Sequence, residues 1–249
     1  MRSRRAARQI RRNIRGDLNE KKARRLGTGA DALFHLLAAL IAVLLPLSLV
    51  ALAAGAVFRA PDFIAFEADR NGALRELGLD TTPEEVAGEI ADYIRHKKDS
   101  LDLTTVIARK DVPVFSFVDE ANLDRIRGLL DKSLYPAIGA LALSFAFFAA
   151  ARLAERRRYL RYALRASAPI YVCAVAFTLA LALSQPFRAA VFARQPGLTF
   201  AEGDVLPRLF GGLYPLISAS MVCLISFIIY IALYSVLIRF TVEKETMFR

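Results

Sequence analysis

ALFHLLAALIAVLLPLSLVALAAGAVF, residues 32–58, holds fifteen Leu, Ile, Val or Phe and no Asp, Glu, Lys or Arg. At roughly −0.3 to −0.6 kcal/mol for each such residue near a bilayer centre, insertion of this run is favoured even after off-centre positions are discounted, and His35 does not reverse the sign. Pro46 in its middle removes a backbone donor and predicts a kink. Three more uncharged windows follow, 133–151, 166–187 and 209–238, each at or above the roughly 18 residues a spanning helix needs. With 55% hydrophobic residues and a mean hydropathy of +0.37, the chain reads as a membrane protein whose charges are gathered into blocks.

The net charge of +10 follows the same layout. Eleven Lys or Arg precede residue 32, six lie within 152–165 and three follow residue 238, whereas 59–132 carries eleven basic against sixteen acidic side chains. That asymmetry is a topology signal rather than a phosphate-binding footprint, so no nucleic-acid partner is expected. The expected layout is a multi-pass protein of the cell membrane with both termini cytoplasmic. It has a basic tail 1–31, spans at 32–58, 133–151, 166–186 and 213–238, and a cytoplasmic loop 152–165. An extracytoplasmic region 59–132, an interfacial flap 187–212 and a cytoplasmic tail 239–249 complete it. The fold class is all-α: a four-transmembrane-helix bundle with a mainly helical extracytoplasmic insertion between the first two spans.

Smaller features fit this frame. Cys173 and Cys223 fall inside spans, where a thiol is a small packing residue, so no extracytoplasmic disulfide is expected within the chain. Ala54-Gly55-Ala56 has the small residues of a cleavage site, but the apolar run before it is roughly twice a signal core, so cleavage is not expected. The Arg-rich tail suits anionic headgroups, yet Ile10, Ile14 and Leu18 make only a thin apolar stripe, which favours a topology anchor. Phe63, Phe66 and Leu74 with a stop at Gly78 predict one helix. Thr82-Pro83-Glu84-Glu85 is a capping box with Pro at the first helical position, opening a second helix through Val86, Ile90 and Ile94. His96 has no ligand-spaced neighbours and reads as solvated; no metal and no cofactor are implied. Residues 101–118 read as extended, with a hairpin near Arg109 and Asp111. In the second span Ala142, Ala146 and Ala150 form a small-residue seam for another helix. Phe187, Val191, Phe192, Phe200, Val205 and Leu206 predict a shallow flap lying in the interface.

The least bland segment is FSFVDEANLDRIRGLLD, residues 115–131, which leads into the second span. Ser116 or Asp119 can cap a helix whose Leu123, Ile126, Leu130 and Leu134 recur at spacings of three and four. Glu120, Asp124, Arg125 and Arg127 lie on the other face, where ordinary ion pairs account for them.

The layout and two local motifs resemble the lipoprotein intramolecular transacylase family of bacterial membrane proteins. Before their second span its members carry Phe-Ser-x-x-Glu-x-x-His-Met-x-Asp-Val-Lys; this chain reads FSFVDEANLDRIR from Phe115 to Arg127. The family's Phe-His-x-x-Phe-Phe run corresponds to Phe187, Arg188, Ala189, Ala190, Val191 and Phe192, and its Phe-Pro to Tyr214 and Pro215. Glu120 and the closing cation Arg127 are kept in type. The two family histidines, however, fall on Asn122 and Arg188, and the motif Asp falls on Arg125.

The resemblance implies acyl transfer from a diacylglyceryl group to the amino group of a lipoprotein's terminal Cys, a reaction that takes a proton from an amine and gives one to an alkoxide. Asn has no titratable group in range and Arg stays protonated, so Arg188 can bind a phosphate or an oxyanion but is no base. The favoured reading is a non-catalytic member binding a membrane lipid or lipoprotein, or a membrane-protein partner, at the outer face. On this reading Arg125, Arg127, Arg188 and Arg208 supply cations beside Glu120, and Phe187, Phe192 and Tyr214 line the acyl entry; the plainer alternative is that these arginines pair with Glu120, Asp124 and Asp204. Alternatives are a membrane acyltransferase using other residues and a structural subunit of a membrane complex.

The charge asymmetry makes a direct prediction. In a background without native cysteines, Ser100→Cys is labelled by an impermeant maleimide added outside the cell and Arg158→Cys is not. The reverse pattern inverts the topology.

Overall fold

The computed structural model describes residues 2–107, 110–184, 186 and 204–241. In chain order the elements are α1 (Arg2–Val57), α2 (Pro61–Asn71), α3 (Ala73–Glu76), α4 (Pro83–Ile94), β1 (Thr104–Ile107), β2 (Lys110–Pro113), α5 (Phe117–Leu153), α6 (Arg157–Leu183), α7 (Val205–Leu209) and α8 (Tyr214–Thr241). Four of the described helices are long and apolar enough to cross a membrane: α5, α6, the Gly29–Val57 part of α1 and the Tyr214–Arg239 part of α8. The chain is an all-α polytopic membrane protein, with one small hairpin.

α1 is the centre of the bundle. Its buried residues Ala38, Ile41, Leu45, Leu49, Ala53 and Val57 recur every three or four positions, one continuous helix face. Against it pack α5, α6 and α8, and α6 also packs on α8. Pro46 lies inside α1 and Pro136 inside α5, and both helices continue through them. Outward-facing Leu36, Leu40, Val172, Phe177, Leu224 and Ile228 are exposed, a surface that costs free energy in water and none in lipid. Since lipid tails are as apolar as these side chains, the helices are held by close packing and polar pairs. Between α6 and α8 the rings of Tyr171 and Tyr230 stack at 4.4 Å. Ser167 Oγ meets Tyr230 Oη at 2.9 Å and Tyr171 Oη meets Ser226 Oγ at 3.0 Å, so these hydroxyls are partnered away from water.

The expected seam does not pack within the chain. Ala142, Ala146 and Ala150 are exposed, while Ala137, Ser144, Phe147, Phe148 and Ala151 form the buried face of α5. The basic segment 152–165 is not mainly loop either. Only residues 154–156 link α5 to α6, with Glu155 at φ 55° and Arg156 N–H closing on the Ala151 carbonyl at 2.8 Å. Arginine is a good helix former, so the cations after the turn extend α6.

Residues between α1 and the apolar part of α5 fold with α7 into a cap that has its own core. Ile64, Ala68, Leu74, Val86, Ile90, Ile94, Val114, Phe115, Leu123, Val205, Leu206 and Leu209 meet there. The capping box at Thr82 forms as read, with Glu85 N–H donating to Thr82 Oγ1 at 3.3 Å and Thr82 N–H to Glu85 Oε2 at 3.0 Å. The hairpin forms too, pairing Thr104 with Pro113 and Ile107 with Lys110. The single helix expected from Phe63 to Gly78 is instead two, α2 and α3, because Gly72 takes a left-handed φ of 62°; only a residue without Cβ does this at no steric cost. The buried face is also shifted by one residue, onto Ile64 and Ala68, and leaves Phe66 56% exposed. In the described part of the predicted flap, Val205 and Leu206 lie in the cap core rather than at an interface.

One carboxylate joins the two distant pieces of the cap. Ser116 caps α5: its Oγ accepts from Asp119 N–H at 3.0 Å, and Asp119 Oδ2 accepts from Ser116 N–H at 3.1 Å. The fully buried Asp119 also accepts from Val205 N–H and Leu206 N–H, both at 3.2 Å, at the start of α7. Asp204, which precedes α7, in turn accepts from Ser116 Oγ at 2.8 Å. Asp119 thus serves the starts of both helices, and Asp204 holds the hydroxyl that caps α5.

Asp119→Ala therefore strands two buried N–H groups and one cap, and lowers stability by about 2–4 kcal/mol. Denaturant unfolding in detergent measures it, with Asp99→Ala on the exposed surface as a reference that changes stability by less than about 0.5 kcal/mol. A reference-sized effect at Asp119 contradicts the shared-cap reading.

Candidate functional site

The first turns of α5 carry the residues singled out from the sequence. Asn122 follows Asp119 by three positions on the same face and is fully buried beside Leu123, while Glu120 is half-buried. On the opposite side Arg127 Nη2 donates to Asp124 Oδ1 at 2.6 Å, and its guanidinium sits 4.5 Å over the Tyr93 ring of α4. Tyr93 Oη donates to the same Asp124 oxygen at 3.3 Å. Burial first, and then the Asp124 carboxylate, raise the Tyr93 phenol above its ordinary pKa, so it remains a donor. Asp124, Arg127 and Tyr93 thus form a closed set pinning α5 to α4.

The described cations of the predicted set, Arg125, Arg127 and Arg208, do not gather around one anion. Arg127 is committed to Asp124, and Arg208 Nη1 pairs with Glu76 Oε2 of α3 at 2.9 Å. Arg125 is exposed on α5. Tyr214 is a core residue rather than a wall of an open path: it is buried, with ring centroids of Phe210, Phe63 and Phe58 at 4.7, 5.9 and 6.2 Å. Phe187, Arg188 and Phe192 lie outside the described residues, and so does the expected approach of Arg188 to Asn122.

A group that the sequence reading passed over sits where the cap meets the bundle. His96 Nε2 lies 2.7 Å from Asp131 Oδ2, and Arg59 Nη2 donates to Asp131 Oδ1 at 2.6 Å. The two members on the bundle side are nearly enclosed, Arg59 at 14% and Asp131 at 20% exposure, whereas His96 is 52% exposed. Arg59 Nη1 is buried without a hydrogen-bond partner. It is admitted by Gly55, where a Cβ would stand 3.2 Å from that nitrogen and 3.3 Å from Leu134 Cδ1. His96 ends α4 in the left-handed region at φ 59°, its N–H on Tyr93 O at 3.1 Å and Lys97 N–H on Asp92 O at 2.9 Å. A residue with a Cβ in that conformation costs about 1 kcal/mol, where Gly would cost nothing.

Chemically this is an imidazole oriented by a carboxylate, with a guanidinium whose second nitrogen has no acceptor. Such a group can move a proton at His96 and hold an anion at Arg59. No local motif announces it, because its members come from the end of α1, the end of α4 and the middle of α5. The available signal was Asp131 itself, an acid one residue after the buried Leu130 and at the threshold of a span, a position that demands a cationic partner. Glu67, on the buried face of α2, is likewise 1% exposed and pairs through Oε2 with Arg70 Nη2 at 2.5 Å.

No family model and no curated protein sequence matches the chain. Solved structures do. Three structures of the membrane integral lipoprotein intramolecular transacylase Lit from Bacillus cereus align over most of both chains. A histidine-to-arginine variant gives a TM-score of 0.65 at 15% identity, covering 87% of this chain and 97% of that one. A histidine-to-alanine variant gives 0.63 at 15% identity over 85% and 96%, and a further crystal form gives 0.59 at 16% identity over 85% and 97%. At these identities the likeness is one of fold, and it covers most of both chains: this membrane protein has a fold like that of the lipoprotein intramolecular transacylase Lit.

Proposed function

We propose that this protein binds a lipid or lipoprotein headgroup at the cap end of its bundle and does not transfer acyl chains. The observation that carries the reading is Asn122: a fully buried amide stands where the resemblance puts a histidine, and an amide neither takes nor gives a proton near neutral pH. At the cap end the cation proposed to meet a phosphate or carboxylate is Arg59, whose Nη1 has no hydrogen-bond partner in the structure. The cap then faces outward from a bacterial cell membrane and both termini face the cytoplasm, in line with the charge asymmetry of the sequence.

A second reading, acyl transfer by residues other than the family's histidines, is favoured by the 2.7 Å contact between His96 and Asp131. An imidazole held by a carboxylate and half open to solvent has the form of a general base. On that reading the proton leaves the lipoprotein's amine for His96 and returns to the glyceryl oxygen released when the ester breaks.

Mass spectrometry of a diacyl lipoprotein co-expressed with this chain, in a host lacking such enzymes, separates the two. The non-catalytic reading expects the lipoprotein unchanged. Appearance of the N-acylated lyso form overturns it, and loss of that form in His96→Gln assigns the proton transfer to His96. In the converse direction, activity gained only when Asn122→His and Arg188→His are combined shows a site that retained its substrate groups and lost its base.

A further inference from the structure

At the opposite end of the bundle, α6 presents Arg158, Arg161 and Arg165 on one face. With Tyr162 and Ala166 they line a groove. The spacings of three, four and seven place these cations in a row along the helix, where like charges repel. Among the described residues the acids at this end are Asp31 of α1 and Glu155 of the turn before α6, and Asp31 is already shared between Arg156 and Arg158, the latter at 2.9 Å. Arg161 and Arg165 are exposed and have no acidic partner among the described residues. The groove therefore carries cations in excess of its acids, and an anion entering it would relieve their repulsion.

The position along the helix says which anion. After Arg165 the helix has no charged residue through Leu183, an 18-residue run of roughly 27 Å, close to the thickness of the hydrocarbon core. Arg165 thus stands at the hydrocarbon edge, with Arg161 and Arg158 one and two turns further out. Their row covers roughly 10 Å of axis, a length comparable to the polar layer of one leaflet, which is roughly 5–8 Å deep. Tyr162, whose ring meets that of His35 of α1 at 4.9 Å, supplies an amphipathic aromatic at the same level. We infer that this groove binds the phosphate of an anionic phospholipid headgroup, with Arg161 and Arg165 as its principal donors. A guanidinium at this depth is otherwise left to snorkel, and the planar fork of arginine suits a phosphate's oxygens.

Native mass spectrometry of the full-length protein, released from micelles containing added dioleoyl phosphatidylglycerol or dioleoyl phosphatidylcholine, tests the inference. The wild type is expected to retain phosphatidylglycerol over phosphatidylcholine. Arg161→Gln with Arg165→Gln reduces that preference by roughly twenty-fivefold, since each surface cation contributes about a fivefold factor. The same charge loss at Arg75→Gln with Arg95→Gln, on the cap, leaves the preference unchanged. Arg161→Lys with Arg165→Lys keeps the charge and the fold but not the bidentate geometry, and retains part of the preference. Equal retention of the two lipids by wild type overturns the inference, as does an Arg161/Arg165 glutamine pair that behaves like the cap pair. Displacement of the lipid by millimolar inorganic phosphate would assign the groove to free phosphate and overturn the headgroup reading.

Discussion

The cap exists as one body because a single carboxylate serves two helices. Asp119 closes the first turn of α5 and, without moving, accepts the first N–H groups of α7, which lies far along the chain. Asp204, the residue that would ordinarily cap α7, is turned instead to Ser116 at the start of α5. A buried carboxylate is costly unless it is surrounded by donors, and here the donors are backbone groups that would otherwise be orphaned. Each half of this arrangement needs the other in place, so the apolar residues of α7 reach the cap core only when α5 has begun correctly. Asn122 and Leu123 follow on that buried face, and their position is set by the same anchor.

The bundle beneath solves a different problem, because lipid offers the helices no hydrophobic reason to associate. Its answers are the continuous buried stripe of α1 and the reciprocal tyrosine and serine contacts between α6 and α8. The junction of the two regimes is where charge is found. Arg59, Asp131 and His96 lie at the level where water gives way to hydrocarbon, and their mutual contacts let an acid and a guanidinium be largely enclosed there.

Much of this was legible in the residues. The four spans follow from length and hydropathy, the start of α4 from Thr82 and Glu85, the start of α5 from Ser116 and Asp119, and the hairpin from alternation between turn residues. These are local properties, set within a few positions of sequence. What could not be read depended on which face the fold encloses and, for His96 and Arg208, on partners far along the chain. Phe66, apolar and expected inside, is exposed, while Glu67 beside it is buried and paired with Arg70. His96 reads as solvated because no Cys, His or paired carboxylate stands near it at ligand spacing; in the fold its ring, half exposed, meets Asp131 on another helix. Arg127 and Arg208 offer a cation either to a ligand or to an acid of the chain, and the fold gives each an acid: Asp124, on the same helix, and Glu76, far along the chain.

The unbroken course of α5 has a mechanical corollary. The helix begins among the capping groups and ends at the turn preceding the arginine groove, roughly 55 Å away, so it is a stiff strut joining the two ends of the protein. Its clearest weak point is Pro136, which cannot donate to the carbonyl four residues earlier and lies five residues past Asp131. Below that point α5 is fastened to α1 by Phe147, Phe148 and Ala151; above it, to the cap. Flexure at Pro136 would change the span between Asp131 and Arg59 while leaving the helix contacts beneath it in register. The proline thus divides the strut into a lever that belongs to the cap and a post that belongs to the bundle.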